Sequence, residues 1–431
     1  MNKTERLWAL SSLWAAAREV YPYFHRLEAD WDETYRTYIP RLLEAADDRA
    51  AWLQLCEFVR LLNDGHSMVI PPRALMTANG VAPFRLTHVG DSFLVTEAAE
   101  EELLLREVRA VDGVPIGELV GRLDRYRYTS KGHPYRGNLE TWLPVLLPGR
   151  DHVLETDGGD FPCAFSNELP PLKAAPEPES RKPFEDLGQG FRLFAGGVLC
   201  ARVDDMQHLD HGAAFQKVLA ETRPRAVLFD IRRNMGGMTL CGARYAQPFF
   251  KGSFGGSRKW TQLRKAVDAA GNSQIVAMGP QARQRLLDQG VVKPEDLAEA
   301  DRYAKRTQFE FYDDAWESLC EVFLPDCPVL LLTSRDTISA AEDFTCFFKA
   351  NRRGRTMGER TFGSTGNPYL LPLPQGGRGQ VVSVGYEIAD GTPFVGVGIQ
   401  PDVPCLPRAE DWRAGWDRPL DLALEQLACS E

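Results

Sequence analysis

Three stretches of the sequence hold groups able to do chemistry. Ser339 follows an apolar run, Pro328 to Leu332, and opens a segment with Phe344, Phe347 and Phe348 at helical spacing. A hydroxyl there sits at a helix N-terminus just past a buried strand, the edge of an open α/β sheet where reactive groups collect. The helix dipole at that point favours developing negative charge. The same residues, Ser339-Ala340-Ala341-Glu342, also fit a capping box, so a plain helix cap is the competing reading. His66, in Leu62-Asn63-Asp64-Gly65-His66-Ser67, is held in a turn and is the residue type suited to a general base near neutral pH; a surface loop histidine competes. Gly236 and Gly237 follow the apolar run Ala226 to Ile231, and adjacent glycines let backbone N–H groups approach a substrate as an oxyanion hole does. A tight strand-to-helix turn competes here. His208 and His211 have metal-pair spacing, but no third ligand pattern accompanies them.

The elements that must carry these groups change character along the chain. Residues 4 to about 62 read as three amphipathic helices, with Leu7, Leu10, Trp14 and Ala17 in the first, Tyr35, Tyr38, Ile39 and Leu42 in the second, and Leu55, Phe58, Val59 and Leu62 in the third. This gives an N-terminal helical cap over 1–76 that ends by presenting His66. Residues 77–168 are short strand-like runs between Gly- and Asp-bearing turns, with a helix from Ile116 to Arg127. The order strand, Asp-Gly turn, helix over Arg106 to Leu123 matches PDZ modules, which bind extended peptides by strand addition; a β-domain that only packs between neighbours competes. A Pro- and charge-rich linker, 169–190, follows. From 191 to 431 the pattern is α/β, with a polar insertion at about 252–326. Gln380 to Ile388 and Thr392 to Val397 read as a hairpin joined by Ala389-Asp390-Gly391.

Composition bounds the partners. The 431 residues are 44 % hydrophobic and 26 % charged, enough for a large core and for more than one domain. The net charge of −10 argues against nucleic acid or an anionic membrane as partner. No apolar run reaches the ~18–20 residues of a membrane span. Nine scattered cysteines without a CxxC pair read as thiols of a reducing, cytoplasmic setting rather than a disulfide framework or zinc site. The N-terminal Leu7 to Ala17 reads as part of a mature helix, not a leader.

Taken in order, Tyr21-Pro22-Tyr23-Phe24, Leu62-Asn63-Asp64-Gly65-His66-Ser67, Asp230 to Gly237, Thr337 to Glu342, Gly358 to Gly363 and Gly396 to Asp402 resemble the S41 serine peptidases, which include the C-terminal processing proteases and the tricorn core protease. The resemblance implies a ClpP/crotonase-like α/β catalytic core with a helical N-terminal domain and a PDZ-like module. Members using a Ser–Lys dyad place the Lys directly after Thr-Phe-Gly, where this chain has Ser364. The resemblance therefore implies the His-using branch: Ser339 as nucleophile, His66 as base, and Gly237 or Gly236 with Ala340 as oxyanion donors. That branch orients its His with a neighbouring Ser and a Glu. Here Ser67 offers the hydroxyl, while the expected Glu falls at about Val395 and leaves Glu387 or Asp390 as substitutes. The implied activity is hydrolysis of peptides or unfolded protein without a cofactor or metal, and a homo-oligomer is compatible with it. A ligand-binding protein without turnover and an esterase or amidase are the alternatives on the same fold.

Overall fold

The computed structural model describes residues 1–168, 171–263 and 266–428. Leu169 and Pro170 of the expected linker, and Cys429, lie outside them. The chain divides into two compact units.

The first unit comprises 1–70, 258–312 and 366–386. Its three N-terminal helices are Lys3–Val20, Trp31–Leu43 and Asp48–Arg60, as the periodicity predicts. Side chains of Asn2, Asp30 and Asp47 cap them. Trp52, Leu55, Phe58 and Val59 are buried along one face of the third helix. A three-stranded sheet follows in the order Met68–Ile70, Arg378–Val382, Pro368–Pro372, all antiparallel. Here the sequence pattern misleads. Arg378–Val382 pairs with strands on both sides, and Thr392 to Val397 forms no strand. The Ala389-Asp390-Gly391 turn does form, closed by Ile388 N–H to Thr392 O, but the chain leaving it breaks at Gly396 and Gly398, both at positive φ.

The second unit comprises 71–257, 313–365 and 387–431. Its β-rich module pairs Phe84–Val89 with Ser92–Ala98, and builds a four-stranded sheet from Val114–Pro115, Val108–Val111, Asp151–Thr156 and Gly159–Ala164. Helices Ile116–Asp124 and Asn138–Leu146 accompany these strands. The main sheet has seven strands in the order Val403–Pro404, Arg355–Gly358, Val329–Thr333, Ala226–Asp230, Val198–Arg202, Phe191–Phe194, Phe184–Gly188. The first five run parallel and the last two are antiparallel additions; the outermost draws on the stretch that reads as linker. Val329–Thr333 and Ala226–Asp230 are buried at every position, the expected consequence of a parallel strand covered on both faces. Phe229 and Leu331 pack on one face with Phe215, Phe249, Phe344 and Phe348. Leu228, Leu330 and Leu332 pack on the other with Leu420 and Leu424. Helix Ala340–Ala350 is buried over its first nine residues, so its polar groups must find partners inside the protein.

Candidate active site

The loop after Val329–Thr333 is fixed before it reaches Ser339. Ser334 N–H donates to Thr337 Oγ1 at 3.0 Å, and Thr337 Oγ1 donates to Ile231 O at 3.0 Å. Ile338 N–H donates to Asn234 O at 3.0 Å and Ser339 N–H to Ser364 O at 2.8 Å. These bonds hold Ser339 at φ 59°, ψ −127°, a conformation costly for a non-glycine residue and typical of strained functional turns.

The structure decides against the capping box. Ser339 makes no side-chain cap bond, and the Glu342 side chain faces inward, not back to the Ser339 N–H. Glu342 accepts from Gly363 N–H at 2.8 Å, Ser364 N–H at 2.7 Å and the Thr361 hydroxyl. Burial pushes its carboxyl up to about 7, against the pull of these donors. Glu342 thus holds the 361–364 loop whose Ser364 carbonyl holds Ser339. Next to it, buried Asp343 accepts from the hydroxyls of Thr239 at 2.8 Å and Thr365 at 3.0 Å.

Gly236 and Gly237 lie against this turn. A Cβ on Gly236, at φ +96°, would stand 2.6 Å from Ser339 Cβ and 3.1 Å from Ala340 N. Only glycine allows that approach. The Gly236 N–H is engaged by Asn234 Oδ1 at 2.8 Å, so its contribution is space and not a donor. Among the described residues the N–H groups of Gly237 and Ala340 have no acceptor. Asn234, fully buried, also donates from Nδ2 to Val203 O at 2.9 Å.

The β-rich module reaches the same loops. Ser130 Oγ donates to Phe362 O at 2.6 Å, and Arg136 N–H donates to Asp336 Oδ1 at 2.8 Å. Arg335 donates to Glu359 Oε1 at 2.6 Å, to His133 Nδ1 at 3.0 Å and to His88 Nδ1. Burial and the guanidinium lower both imidazoles, His88 to about 2 and His133 to about 4.

In the first unit, His66 is set by its turn. Buried Asp64 Oδ1 accepts from His66 N–H at 2.8 Å and Ser67 N–H at 2.6 Å, which fixes the backbone on both sides of the imidazole-bearing carbon. Gln380 Nε2 donates to His66 O at 2.7 Å, and Val382 N–H donates to Ser67 Oγ at 3.0 Å. Burial lowers the His66 imidazole to about 4, so it is neutral at pH 7.

Residues 200–405 match Peptidase family S41. The chain carries an S41 peptidase domain. That domain makes it a serine-type peptidase, and the match spans Gly236, Gly237, Ser339, Ala340 and Glu387, whereas His66 and Ser67 precede it. The fold is shared with solved structures at low identity. Mature CPAF is 15 % identical, with 99 % of this chain and 98 % of that chain covered at a TM-score of 0.70. CPAF complexed with lactacystin is also 15 % identical, with 100 % and 99 % covered at 0.69. A putative peptidase from Parabacteroides merdae is 14 % identical, with 100 % and 98 % covered at 0.55. No curated protein matches the chain in sequence.

Within the S41 domain, then, Ser339, Ala340, Gly236 and Gly237 come together. Glu387 lies half-buried on the strand Gly385–Ile388, and Asp390 caps its exposed turn by accepting from Thr392 N–H at 2.9 Å. Val395 is buried. Sequence reasoning missed Asn234 and Asp64. Both show one signal, an Asx side chain bonding the N–H two residues on. Sequence reasoning also missed the inward turn of Glu342, which no local pattern announces.

Proposed function

We propose that this S41 peptidase hydrolyses peptide bonds through a Ser339 acyl-enzyme with His66 as general base. The observation that supports it best is the Ser339 turn itself: a strained nucleophile position with the acceptor-free N–H groups of Gly237 and Ala340 beside it. Ser339 Oγ attacks the scissile carbonyl carbon while His66 takes its proton. The carbonyl oxygen, now an oxyanion, is held by the N–H groups of Gly237 and Ala340. His66 returns the proton to the leaving amine as the C–N bond breaks. Water then attacks the ester, losing its proton to His66, and the acid product leaves with Ser339 restored. Ser67 and Glu387 are the groups we assign to orienting His66. Substrates are peptides or unfolded protein, and no step needs a metal or cofactor.

A fluorophosphonate probe on wild type, Ser339→Ala and His66→Ala tests this reading. Labelling of wild type, none of Ser339→Ala and slow labelling of His66→Ala is the expected result. Labelling that persists in Ser339→Ala would sink the nucleophile assignment. Unchanged labelling in His66→Ala would sink the base. Digestion of a peptide library by labelling-competent enzyme then separates peptidase from esterase, since an esterase leaves the library intact.

A further inference from the structure

The strand-to-helix turn that carries Gly237 also carries three large apolar side chains that the fold does not bury. Met235 and Met238 are each 46 % exposed and Leu240 is 41 % exposed, while Gly237 between them is exposed as well. Their neighbours are fixed. Asn234 anchors the near end, Met238 N–H donates to Met206 O at 2.7 Å, and Thr239 is tied to Asp343. The three side chains are therefore presented from a rigid turn, not from a loose loop. Isolated exposed hydrophobes need no explanation, but a cluster within six residues on such a frame does. No charged residue occurs from Asn234 to Ala243, with Arg233 and Arg244 flanking the stretch.

We propose that Met235, Met238 and Leu240 form the surface that selects the residue beside the scissile bond, and that they select a bulky apolar side chain. This rests on the acyl-enzyme reading above. A scissile carbonyl oxygen bonded to Gly237 N–H brings the adjoining substrate side chain over this turn. Apolar area is removed from water there on binding, and methionine side chains adapt to differing shapes. A lysine or aspartate side chain would lose hydration without gaining a counter-charge. The substrate class is an extended polypeptide cut next to residues such as Leu, Phe or Met.

The test is a matched set of peptides that differ only beside the cut, with Leu, Phe, Asp or Lys, and with rates normalised to enzyme titrated by the fluorophosphonate. Wild type should prefer Leu and Phe to Asp and Lys by at least about 10-fold in kcat/KM. In the Met235→Asp/Met238→Asp double variant the Leu/Lys ratio should fall towards one or invert. The ratio is read within a single protein, so partial misfolding does not mimic it. Leu319→Asp, a substitution at an exposed apolar residue elsewhere on the surface, should keep the wild-type ratio. Titratable Ser339 with a flat preference in wild type would overturn this inference alone, as would an unchanged ratio in the double variant. Absence of titratable Ser339 would overturn the acyl-enzyme reading and this inference with it.

Discussion

Asn234→Ala separates the frame of the site from its chemistry. The side chain is fully buried and makes two bonds, accepting from Gly236 N–H at 2.8 Å and donating to Val203 O at 2.9 Å. Alanine leaves one buried N–H and one buried carbonyl without partners. Each such group costs about 1–3 kcal/mol, so the variant should lose about 2–6 kcal/mol of stability. The second effect is local. Gly236 keeps only the bond its carbonyl accepts from Met206 N–H at 3.0 Å, so its own N–H is unheld and Gly237 N–H, the next donor along, is directed less firmly. Loss of one oxyanion donor lowers kcat by about 10²–10³. The assay pairs thermal unfolding with turnover per site titrated by a fluorophosphonate. A destabilised variant with wild-type turnover per titrated site would refute the link between Asn234 and the oxyanion donor. A variant as stable as wild type would refute the accounting of buried partners. Asn234→Asp is a sharper form of the same test. It keeps an acceptor for Gly236 but faces a carboxylate oxygen towards the Val203 carbonyl, so it should be no more stable than the alanine variant.

With burial lowering His66 to about 4, its neutral form persists on acidification, so kcat/KM should stay flat from pH 7 to 5 and halve near 4; a midpoint near 6.5 would contradict the assignment. The folded Glu342 carboxyl is raised from 4.5 to about 7, so the stability it contributes is present below about 4.5 and lost as pH rises through 7. Glu342→Gln, which cannot ionise, should therefore gain on wild type by up to roughly 3 kcal/mol between pH 4.5 and 8, read from denaturant midpoints, and a pH-independent difference would refute this. Arg335→Met leaves Glu359, which is buried, without the guanidinium that pairs it at 2.6 Å, and should cost about 3–5 kcal/mol in thermal unfolding; a loss under ~1 kcal/mol would show the ion pair to be dispensable.

Much of the frame around Ser339 was readable because it is written locally. The apolar run into Thr333, the break at residues 334–338 and the Phe spacing after Ser339 demanded strand, turn and helix, and the structure has them. The paired glycines also announced a close approach, although which N–H stays available depends on Asn234. Local pattern failed where one residue type serves two purposes. Glu342 completes a capping box in sequence and a loop clamp in the fold, because its helix is buried on all sides and three donors from 361–364 converge on it. Alternation over 380–397 suggested a hairpin, but Gly396 and Gly398 turn the second half into an irregular segment packed on Gly363. Arg335 with His88 and His133 joins positions about 200–250 residues apart, and nothing in the spacing of single residues encodes that.

The loops around Ser339 meet backbone to backbone. A side chain on Gly236 would strike Ser339, and one on Gly363 would strike the amide of Gly398. Such a frame has no slack for insertions or loop exchange, and randomising it would yield mostly inactive protein. Met235, Met238 and Leu240 occupy the opposite situation: they project from the same turn yet support none of it. Engineering of cleavage preference in this chain should therefore begin with these three positions, which can be rewritten together while every glycine and every buried carboxylate is left as it stands.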